Sequence, residues 1–531
     1  MKKTKLLLAC ILSALIGGFI FFILYGELLN PFYDAWLLIV DPDIAQAYIG
    51  WAMYRVADWS YPIGLAVNYA HPIGVAVTYT DSIPLFAIVF KIFRNFLPDT
   101  FQYFGLWIGM SFILQSIFGF LLLNNFLKKK SLAVLGSAIF VLSPIMLFRL
   151  GGHFALGGQW LILAGLYLLF RKHDHNQWWQ WSLLLLLSLT VHPYLFFMNA
   201  FLMITDLLML LKNKSINIFK LALFLIIEAF FIYNIAYALG LFTVSQAYAA
   251  GYGNFSMNLN ALFNPLGWSN VLPDLDITKY QTEGFNYLGL GILFLLLLSL
   301  WSCLKKKCFK ILQWPIVLFI TLSFLLSISN IVSFGNKILF TLPLPEAFIN
   351  NFLGLFRSSG RFFWPVFYMI VLASFYIIKT SKYKKAIIIL IIAISLQVYD
   401  LSGVLAERGK FFENKVQADQ FFSLEFETAA QNYKRMAFLP VLPYHNYMFF
   451  AMYASQHNLT LNNGSFARPI NEVDKYIENQ IKSVEAGNLD QDTIYVFTYD
   501  ADNYTANIDL NEHWHILIDD TFVLFPYYDS K

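Results

Sequence analysis

Long apolar runs separated by short clusters of lysine and arginine recur along the chain and constrain its fold most strongly. With their flanks, runs such as residues 292–300 and 386–394 reach about 20 residues, the length that an α-helix needs to cross a hydrocarbon core. Hydrophobic residues make up 58% of the chain and charged residues only 13%, which excludes an ordinary soluble protein. The sequence therefore predicts a polytopic α-helical membrane protein.

The basic clusters predict the topology of this protein. By the positive-inside rule, the basic N-terminus and the clusters between the runs lie in the cytoplasm. About eleven spans then alternate, with the N-terminus inside and the C-terminus outside. Residues 83–97 are too short for a span and carry Lys91 and Arg94, so we expect an interfacial or re-entrant helix there. The predicted spans are about 6–25, 103–127, 131–149, 154–170, 179–192, 194–211, 218–240, 286–304, 311–330, 362–378 and 386–400.

The composition changes after residue 400, which predicts two domains. Residues 1–400 form the transmembrane domain, with a first outer loop at 26–102, and residues 401–531 form an extracytoplasmic α/β domain. The predicted strands of that domain are 436–441, 493–498 and 515–525, and its predicted helices lie near 425–434, 445–457 and 471–486. It lacks a phosphate-binding glycine-rich loop, metal-ligand spacing and a nucleophile elbow, so we expect it to position substrate rather than to catalyse.

Two acids separated by one proline open the first outer loop. Asp41 at the N-cap, Pro42 at the first helical position and Asp43 in the first turn are typical of a helix start. The same carboxylates could deprotonate an acceptor hydroxyl or hold a divalent cation such as Mg or Mn. The two interpretations are compatible, because the start of a rigid helix is a good mount for a base.

Three further polar residues lie beside proline turns or span ends on the outer side. His71 precedes a proline in the first loop, and Asp81 is a candidate cap for the helix at 83–97 as well as a candidate site residue. His192 precedes another proline, where a hydrogen-bonded histidine at a kinked span end is the structural alternative. Each of these three residues is therefore a candidate for a functional role at the membrane face.

Two short outer segments carry arginines. Arg149 precedes Gly151, Gly152 and His153 in a tight connection, and the glycines would let a ligand approach the backbone closely. The alternative for Arg149 is an ordinary arginine that extends from a span end towards water.

Arg357 and Arg361 lie four residues apart around Ser358, Ser359 and Gly360. In a helix this spacing puts both guanidinium groups on one face, where they could bind a phosphate or pyrophosphate.

The loop acids and outer arginines resemble the GT-C superfamily of membrane glycosyltransferases, in which the first outer loop carries a catalytic or metal-binding acid. Within that superfamily the chain is similar to an uncharacterised bacterial membrane family over roughly residues 36–370. The stretches that carry the likeness are "YTDSIPLFA", "FQYFGLW", "GGHFALGGQWLIL", "HPYLFFMNAF" and "FRSSGRFFWP".

This resemblance implies an inverting glycosyltransferase in the bacterial cytoplasmic membrane, with its active site facing outside. The donor would be a polyprenyl-phosphate-linked sugar from the lipid bilayer, and the acceptor an envelope glycan, lipid or protein. Asp41 or Asp43 would be the base or a metal ligand, while Arg357 and Arg361 would hold the donor phosphate. The rim of the substrate pocket would be completed by His71, Asp81, His153 and His192. The basic excess of the chain follows from its topology and indicates no nucleic-acid partner.

Two other classes of function stay open from the sequence. A transporter or flippase of lipid-linked saccharides would carry ionisable residues inside its spans, and Glu228 lies near the middle of one span. A non-catalytic scaffold for envelope assembly would use its outer domain to bind partners. The polar groups concentrate at the outer ends of the spans, which favours the transferase.

Overall fold

The computed structural model describes residues 2–38, 42–171, 178–244, 251–306, 312–351, 353–413, 422–440, 444–497 and 501–526. Most of these residues are helical. The α-helices are α1 Lys2–Tyr25, α2 Pro42–Val56, α3 Pro84–Ile92, α4 Phe104–Phe126, α5 Lys130–Val141, α6 Pro144–Arg149, α7 Trp160–Phe170, α8 Trp179–Val191, α9 Pro193–Lys212, α10 Ile218–Ala238, α11 Leu290–Lys306, α12 Trp314–Ile328, α13 Glu346–Asn351, α14 Trp364–Ser374, α15 Tyr376–Thr380, α16 Tyr383–Glu413, α17 Leu424–Ala430, α18 Tyr444–Gln456, α19 Asn471–Glu485 and α20 Ala501–Thr505.

Six helical segments among the described residues have the length and composition of membrane spans. They are Lys3–Leu29, Phe104–Phe126, Pro193–Lys212, Ile218–Ala238, Ser359–Thr380 and Tyr383–Arg408. The remaining predicted spans coincide with shorter apolar helices of 10 to 17 residues. The protein is thus a mostly helical chain with several membrane-type helices, and α3 occupies the segment for which we expected a short separate helix.

The strands are few and short. They are β1 Leu65–Ala66, β2 Val75–Ala76, β3 Ile331–Phe334, β4 Lys337–Thr341, β5 Arg435–Leu439, β6 Thr460–Leu461, β7 Thr493–Phe497, β8 Trp514–Ile518 and β9 Thr521–Phe525. β1 pairs with β2 and β3 with β4, both antiparallel. These two hairpins lie outside the C-terminal region.

The C-terminal region forms a five-stranded mixed sheet in the order β6-β5-β7-β9-β8. β5 runs parallel to β6 and β7, whereas β9 runs antiparallel to β7 and β8. The predicted strand at 515–525 is in fact the hairpin β8–β9, because Asp519 and Asp520 adopt φ values of 47° and 61° and turn the chain. The predicted strand ends Val441 and Thr498 lie outside the described residues.

The chain divides by contact into two compact units. Unit 1 consists of Met1–Asn30, Phe104–Ile232 and Tyr248–Phe412, and unit 2 of Pro31–Tyr103, Tyr233–Ala247 and Glu413–Lys531. In unit 1, α4 packs against α1, α5 and α7, and α11 packs against α14. The units group residues by contact rather than by position along the chain, so the predicted boundary at residue 400 stays a prediction about sequence segments.

In unit 2, the first outer loop packs against the C-terminal sheet. The backbone N–H of His71 donates to the carbonyl of Leu461 at 2.6 Å, and that of Leu461 donates to the carbonyl of Asn68 at 2.9 Å. Residues 68–71 thereby continue the sheet beyond β6, while α2 packs against α18. The apolar core of unit 2 includes Ala70 of this segment together with Ala437, Val473 and Tyr495.

Candidate functional site

A buried ion-pair cluster in unit 1 joins two of the arginines that the sequence singled out. Arg149 donates to Glu283 twice, from Nη1 to Oε1 at 3.2 Å and from Nη2 to the backbone carbonyl at 2.9 Å. Arg361 Nη2 donates to Oε2 of the same carboxylate at 2.6 Å. The side chains of Arg149 and Arg361 are 2% and 9% exposed and that of Glu283 is 24% exposed, so the cluster is largely withdrawn from water.

The tight connection after α6 positions Arg149. Arg149 is the last residue of α6, and Arg408 Nη1 donates to the Leu147 carbonyl of that helix at 3.3 Å. A Cβ on Gly151 would lie 1.4 Å from the Arg408 guanidinium, so this glycine leaves room for a second arginine. Gly152 faces open space instead.

A network of amides and hydroxyls holds the short 3₁₀ turn that carries Glu283. Asn258 Nδ2 donates to Gln281 Oε1 at 2.7 Å, and Gln281 Nε2 donates to Ser333 Oγ at 2.6 Å. All three side chains are buried. Buried amides whose hydrogen bonds are satisfied in this way hold the backbone in one arrangement. The backbone that carries the Glu283 carboxylate is therefore fixed.

Close backbone contact brings Arg361 to the acid. Arg361 lies in the 3₁₀ helix Ser359–Phe363, and Asn286 Nδ2 donates to the Gly360 carbonyl at 3.3 Å. A Cβ on Gly360 would lie 2.6 Å from the Cα of Gly284. The absence of a side chain at Gly360 therefore permits the approach of the two segments.

The start of α9 supplies the aromatic support of the cluster. Tyr194 OH accepts a hydrogen bond from the backbone N–H of Ser358 at 2.9 Å, and its ring faces the Arg361 guanidinium at 5.0 Å. His192 is the N-cap of α9, and its Nδ1 accepts a hydrogen bond from the backbone N–H of Tyr194 at 3.1 Å. The structural alternative for His192, a hydrogen-bonded cap, is what the structure contains.

The arginines decide the ionisation of Glu283. Burial alone would raise its pKa, but the charges of Arg149 and Arg361, with a further contribution from His153, hold the pKa well below its usual range. One carboxylate between two guanidinium groups leaves the three side chains with a net charge of about +1. The cluster is therefore a stable, slightly cationic centre.

Arg357 lies one residue before Ser358 and differs from the other two arginines. Its guanidinium is half-buried over the ring of Phe255 at 5.9 Å, and among the described residues it has no acidic partner. The Phe255 carbonyl also accepts from the backbone N–H of Gly360 at 3.2 Å, which ties this region to the segment of Arg361. Hereafter, Arg149, Glu283, Arg357 and Arg361 are called the arginine cluster.

The first-loop acids belong to unit 2. Asp43 lies in the first turn of α2 and is half-buried, as the helix-start interpretation expects. Asp41 lies outside the described residues. Among the residues that the structure describes, no group of three or more His, Cys, Asp or Glu side chains could hold a metal. The Mg or Mn site of Asp41 and Asp43 stays a prediction.

Asp81 and His71 are the other two candidate residues of the first loop. The N-cap of α3 is Ile83, which makes no side-chain cap bond, so the predicted cap role of Asp81 is wrong. Asp81 instead ends a 3₁₀ turn with φ of 57°. His71 lies beside a cavity in unit 2, and its Nδ1 contacts the Val67 carbonyl at 3.3 Å.

A family model described as "Domain of unknown function (DUF6311)" matches residues 14–402, which is most of the chain. The chain belongs to the DUF6311 family. A second model, described as the DUF6311 C-terminal domain, matches residues 425–526. No curated protein sequence matches the chain. The whole arginine cluster lies within the region that matches the DUF6311 domain.

The structure brings together some of the predicted site residues and not others. The Glu283 carboxylate is surrounded by Arg149, His153 and Arg361. His192 accepts a hydrogen bond from Tyr194, whose ring faces Arg361. The expected helical face of the two later arginines is absent, because Arg357 precedes the 3₁₀ helix that contains Arg361. The roles assigned to all these residues stay predictions.

Sequence reasoning missed Glu283, Tyr194 and Arg408. Glu283 lies in the polar stretch between the predicted spans 218–240 and 286–304, where an acid is unremarkable in sequence. A signal did exist in Arg149 and Arg361 at the ends of predicted spans, because buried guanidinium groups require a counter-charge. That requirement says that an acid is needed but not which one supplies it.

Proposed function

We propose that this DUF6311 protein is a membrane glycosyltransferase that moves a sugar from a polyprenyl-phosphate donor to an envelope acceptor. The observation that supports it best is Arg357, a half-buried cation without an acidic partner among the described residues, next to a paired arginine centre. Such a centre suits a phosphate, which accepts charge-assisted hydrogen bonds from guanidinium groups. The donor enters from the lipid bilayer.

The arginines have separate roles in this proposal. Arg357 binds the donor phosphate directly. Arg149 and Arg361 are positioning residues, because Glu283 already accepts their hydrogen bonds and fixes their orientation. Their excess positive charge stabilises the leaving phosphate as negative charge develops on it during transfer.

The first-loop acids supply the base. Asp43 or Asp41 takes the proton of the acceptor hydroxyl, the hydroxyl oxygen forms a bond to the anomeric carbon, and the carbon–oxygen bond to the phosphate breaks. A single displacement of this kind inverts the anomeric centre. Should Mg or Mn take part, the same two carboxylates are the ligands that oxygen-preferring cations would use.

The topology completes the proposal. In the proposed topology of eleven spans, the N-terminus lies in the cytoplasm, the C-terminus lies outside, and the active site faces the outside of a bacterial cytoplasmic membrane. The acceptor is then an envelope glycan, lipid or protein. A GT-C-like arrangement of this kind needs no soluble donor, because the donor is held in the lipid bilayer.

The acids inside the spans give little support to a transporter. Glu228 accepts a hydrogen bond from Ser182 Oγ at 2.5 Å, and Asp206 accepts one from Trp181 Nε1 at 2.9 Å. Both donors lie on α8, so these acids link neighbouring helices.

Mass spectrometry of envelope glycans and lipid-linked sugars tests the transferase. A deletion strain is compared with strains that carry the wild type, Asp43→Asn, Asp41→Asn, Arg357→Ala or the control Lys337→Ala at matched membrane levels. Lys337 is an exposed cation of β4, so its loss controls for charge alone. We expect the deletion to lose one sugar from an outer polymer and accumulate its lipid-linked donor.

We expect Arg357→Ala and one of the aspartate variants to reproduce the deletion, and Lys337→Ala to restore the wild-type profile. A complete restoration by both aspartate variants and by Arg357→Ala contradicts the transferase. The acid pair would then be a helix start only, and scaffolding would be the better account.

A further inference from the structure

Unit 2 contains a polar cavity of about 420 Å³ that shares no residue with the arginine cluster. Its volume falls within the roughly 300–1,000 Å³ of small-molecule sites. The residues around it are Val56, Ala57, Asp58, Val67, Asn68, His71, Asn458 and Thr460. The first six belong to the first outer loop and the last two to the C-terminal region.

The junction of loop and sheet builds this cavity. Asn68 and His71 bond through their backbones to Leu461, and Thr460 is the other residue of β6. Asn458 has φ of 57° in the turn that leads from α18 into β6. Two parts of the sequence that lie far apart are thus held together where the cavity forms.

The polar side chains around the cavity have unused hydrogen-bonding capacity. Asn68 Nδ2 donates to the Met53 carbonyl at 3.0 Å, while its Oδ1 is buried without a partner among the described residues. His71 uses Nδ1 on the Val67 carbonyl, which leaves Nε2 for a ligand. Since a buried polar atom without a partner costs about 1–3 kcal/mol, the arrangement favours a molecule that supplies one.

The remaining three polar side chains extend this capacity. Asp58 and Asn458 are exposed and Thr460 is half-buried, and none of the three side chains makes a hydrogen bond within the part of the chain that the structure describes. Together with Asn68 and His71, these side chains offer both hydrogen-bond donors and hydrogen-bond acceptors. A ligand with hydroxyl groups, which both donate and accept, matches this mixture.

The charges around the cavity exclude other ligand classes. The described residues that line it include no arginine or lysine, and the Asp58 carboxylate disfavours an anion, although Lys91 Nζ lies 3.4 Å from the Asp58 carbonyl. A metal would find only Asp58 and His71 as strong ligands, fewer than the three or more that metal sites use. A purely apolar ligand would leave the buried Asn68 Oδ1 without a partner.

The geometry points to a binding site for a neutral saccharide in this cavity. The binding itself is independent of the proposed transferase. That the bound saccharide is the acceptor glycan rests on the proposed function.

Saccharide titration of the detergent-solubilised full-length protein tests the site. Saturation-transfer NMR with glucose, galactose, mannose, rhamnose and N-acetylglucosamine identifies a ligand, and calorimetry measures its Kd. The test variant combines Asp58→Asn with Thr460→Val, changes that keep side-chain volume but remove a charge and a hydroxyl. The control is Asp520→Asn, an exposed acid in the β8–β9 turn at the opposite edge of the sheet.

We expect at least one of these sugars to bind with a Kd below roughly 10 mM and the double variant to weaken it about tenfold or more. The control should bind as the wild type does, and thermal unfolding should show that all three proteins are folded. Failure of every sugar to bind overturns the site, as does a Kd that the double variant leaves unchanged. Competition by inorganic phosphate for the bound sugar overturns the neutral ligand class.

Loss of sugar binding with a normal glycan profile in cells would refute the acceptor role and leave the site standing. Restoration of the wild-type glycan profile by Arg357→Ala and by both aspartate variants would refute the transferase and leave the binding result untouched. The two proposals are therefore separable by experiment.

Discussion

Glu283 and Arg361 are 78 residues apart in sequence, and their side chains form a hydrogen-bonded ion pair of 2.6 Å. Arg149, 134 residues before Glu283, bonds the same carboxylate. One acid therefore joins three distant segments of unit 1. Its removal has consequences that can be measured without knowledge of the substrate.

Glu283→Gln should destabilise the protein, because it leaves two largely buried guanidinium groups without their counter-charge. Breaking a fully buried pair costs roughly 3–5 kcal/mol, and partial exposure of Glu283 reduces this to about 2–4 kcal/mol. Thermal unfolding in detergent measures the change. Glu346→Gln, at an exposed acid of the same unit, is the matched control and should have little effect. Equal stability of both variants would contradict the structural role of Glu283.

The cluster should also make stability depend on acid pH. The folded pKa of Glu283 is depressed from its ordinary value near 4.5, so its contribution is complete above that value and is lost as the pH falls towards the folded pKa. Wild type should therefore lose stability more steeply than Glu283→Gln below about pH 4.5. Unfolding temperatures measured for both proteins from neutral to acid pH test this, and parallel curves would contradict it.

Gly360→Ala should separate the segments of Glu283 and Arg361. The new Cβ would lie 2.6 Å from Gly284 Cα and 3.0 Å from the backbone N of Met257, so the backbone must shift. We expect a loss of about 1–3 kcal/mol, as for an overpacked core. Gly152→Ala is the control, because nothing lies within 4 Å of its Cβ position. Chemical denaturation compares the two, and equal stability of both would contradict the close contact.

Lys91 should make the free energy of unfolding increase with pH in alkaline solution. Burial first, and Arg94 next, lower its pKa to about 8, and its Nζ lies over the rings of Tyr54 and Trp59 at 4.0 and 4.6 Å. The unfolded chain binds more protons than the folded one between about pH 8 and 10.5, so the stability contribution of this residue increases with pH there. Lys91→Met should reduce the rise of the free energy of unfolding over this pH range. Identical pH profiles of wild type and variant would refute the shifted pKa.

The helices could be predicted from the sequence more completely than the site. Apolar runs act locally, so each predicted span contains a helix, although α16 extends to Glu413, past the predicted end at residue 400. The pairing of Glu283 with two arginines depends on contacts between distant segments, which no local pattern encodes. The same holds for Asn68, whose backbone bonds to Leu461.

The predicted arginine pair illustrates this difference. Spacing of four suggested one helical face, but Ser358 bonds to Tyr194 and begins a 3₁₀ helix, which gives Arg357 and Arg361 different surroundings. Arg361 is paired and buried, whereas Arg357 is half-buried over Phe255 and has no acidic partner among the described residues. The residue types in the sequence indicated a charged site. The positions of the two arginines depend on contacts with α9 and with the turn at residues 281–284.

Binding of polyprenyl phosphate to the purified protein in lipid nanodiscs tests the central claim most directly. Wild type, Arg357→Ala and Lys337→Ala are titrated with the lipid, and Kd is measured for each. Loss of a charge-assisted contact of roughly 1.5–3 kcal/mol predicts that Arg357→Ala binds about 10- to 100-fold more weakly, with Lys337→Ala unchanged. Equal affinity of wild type and Arg357→Ala would contradict the claim that this cluster holds the donor phosphate.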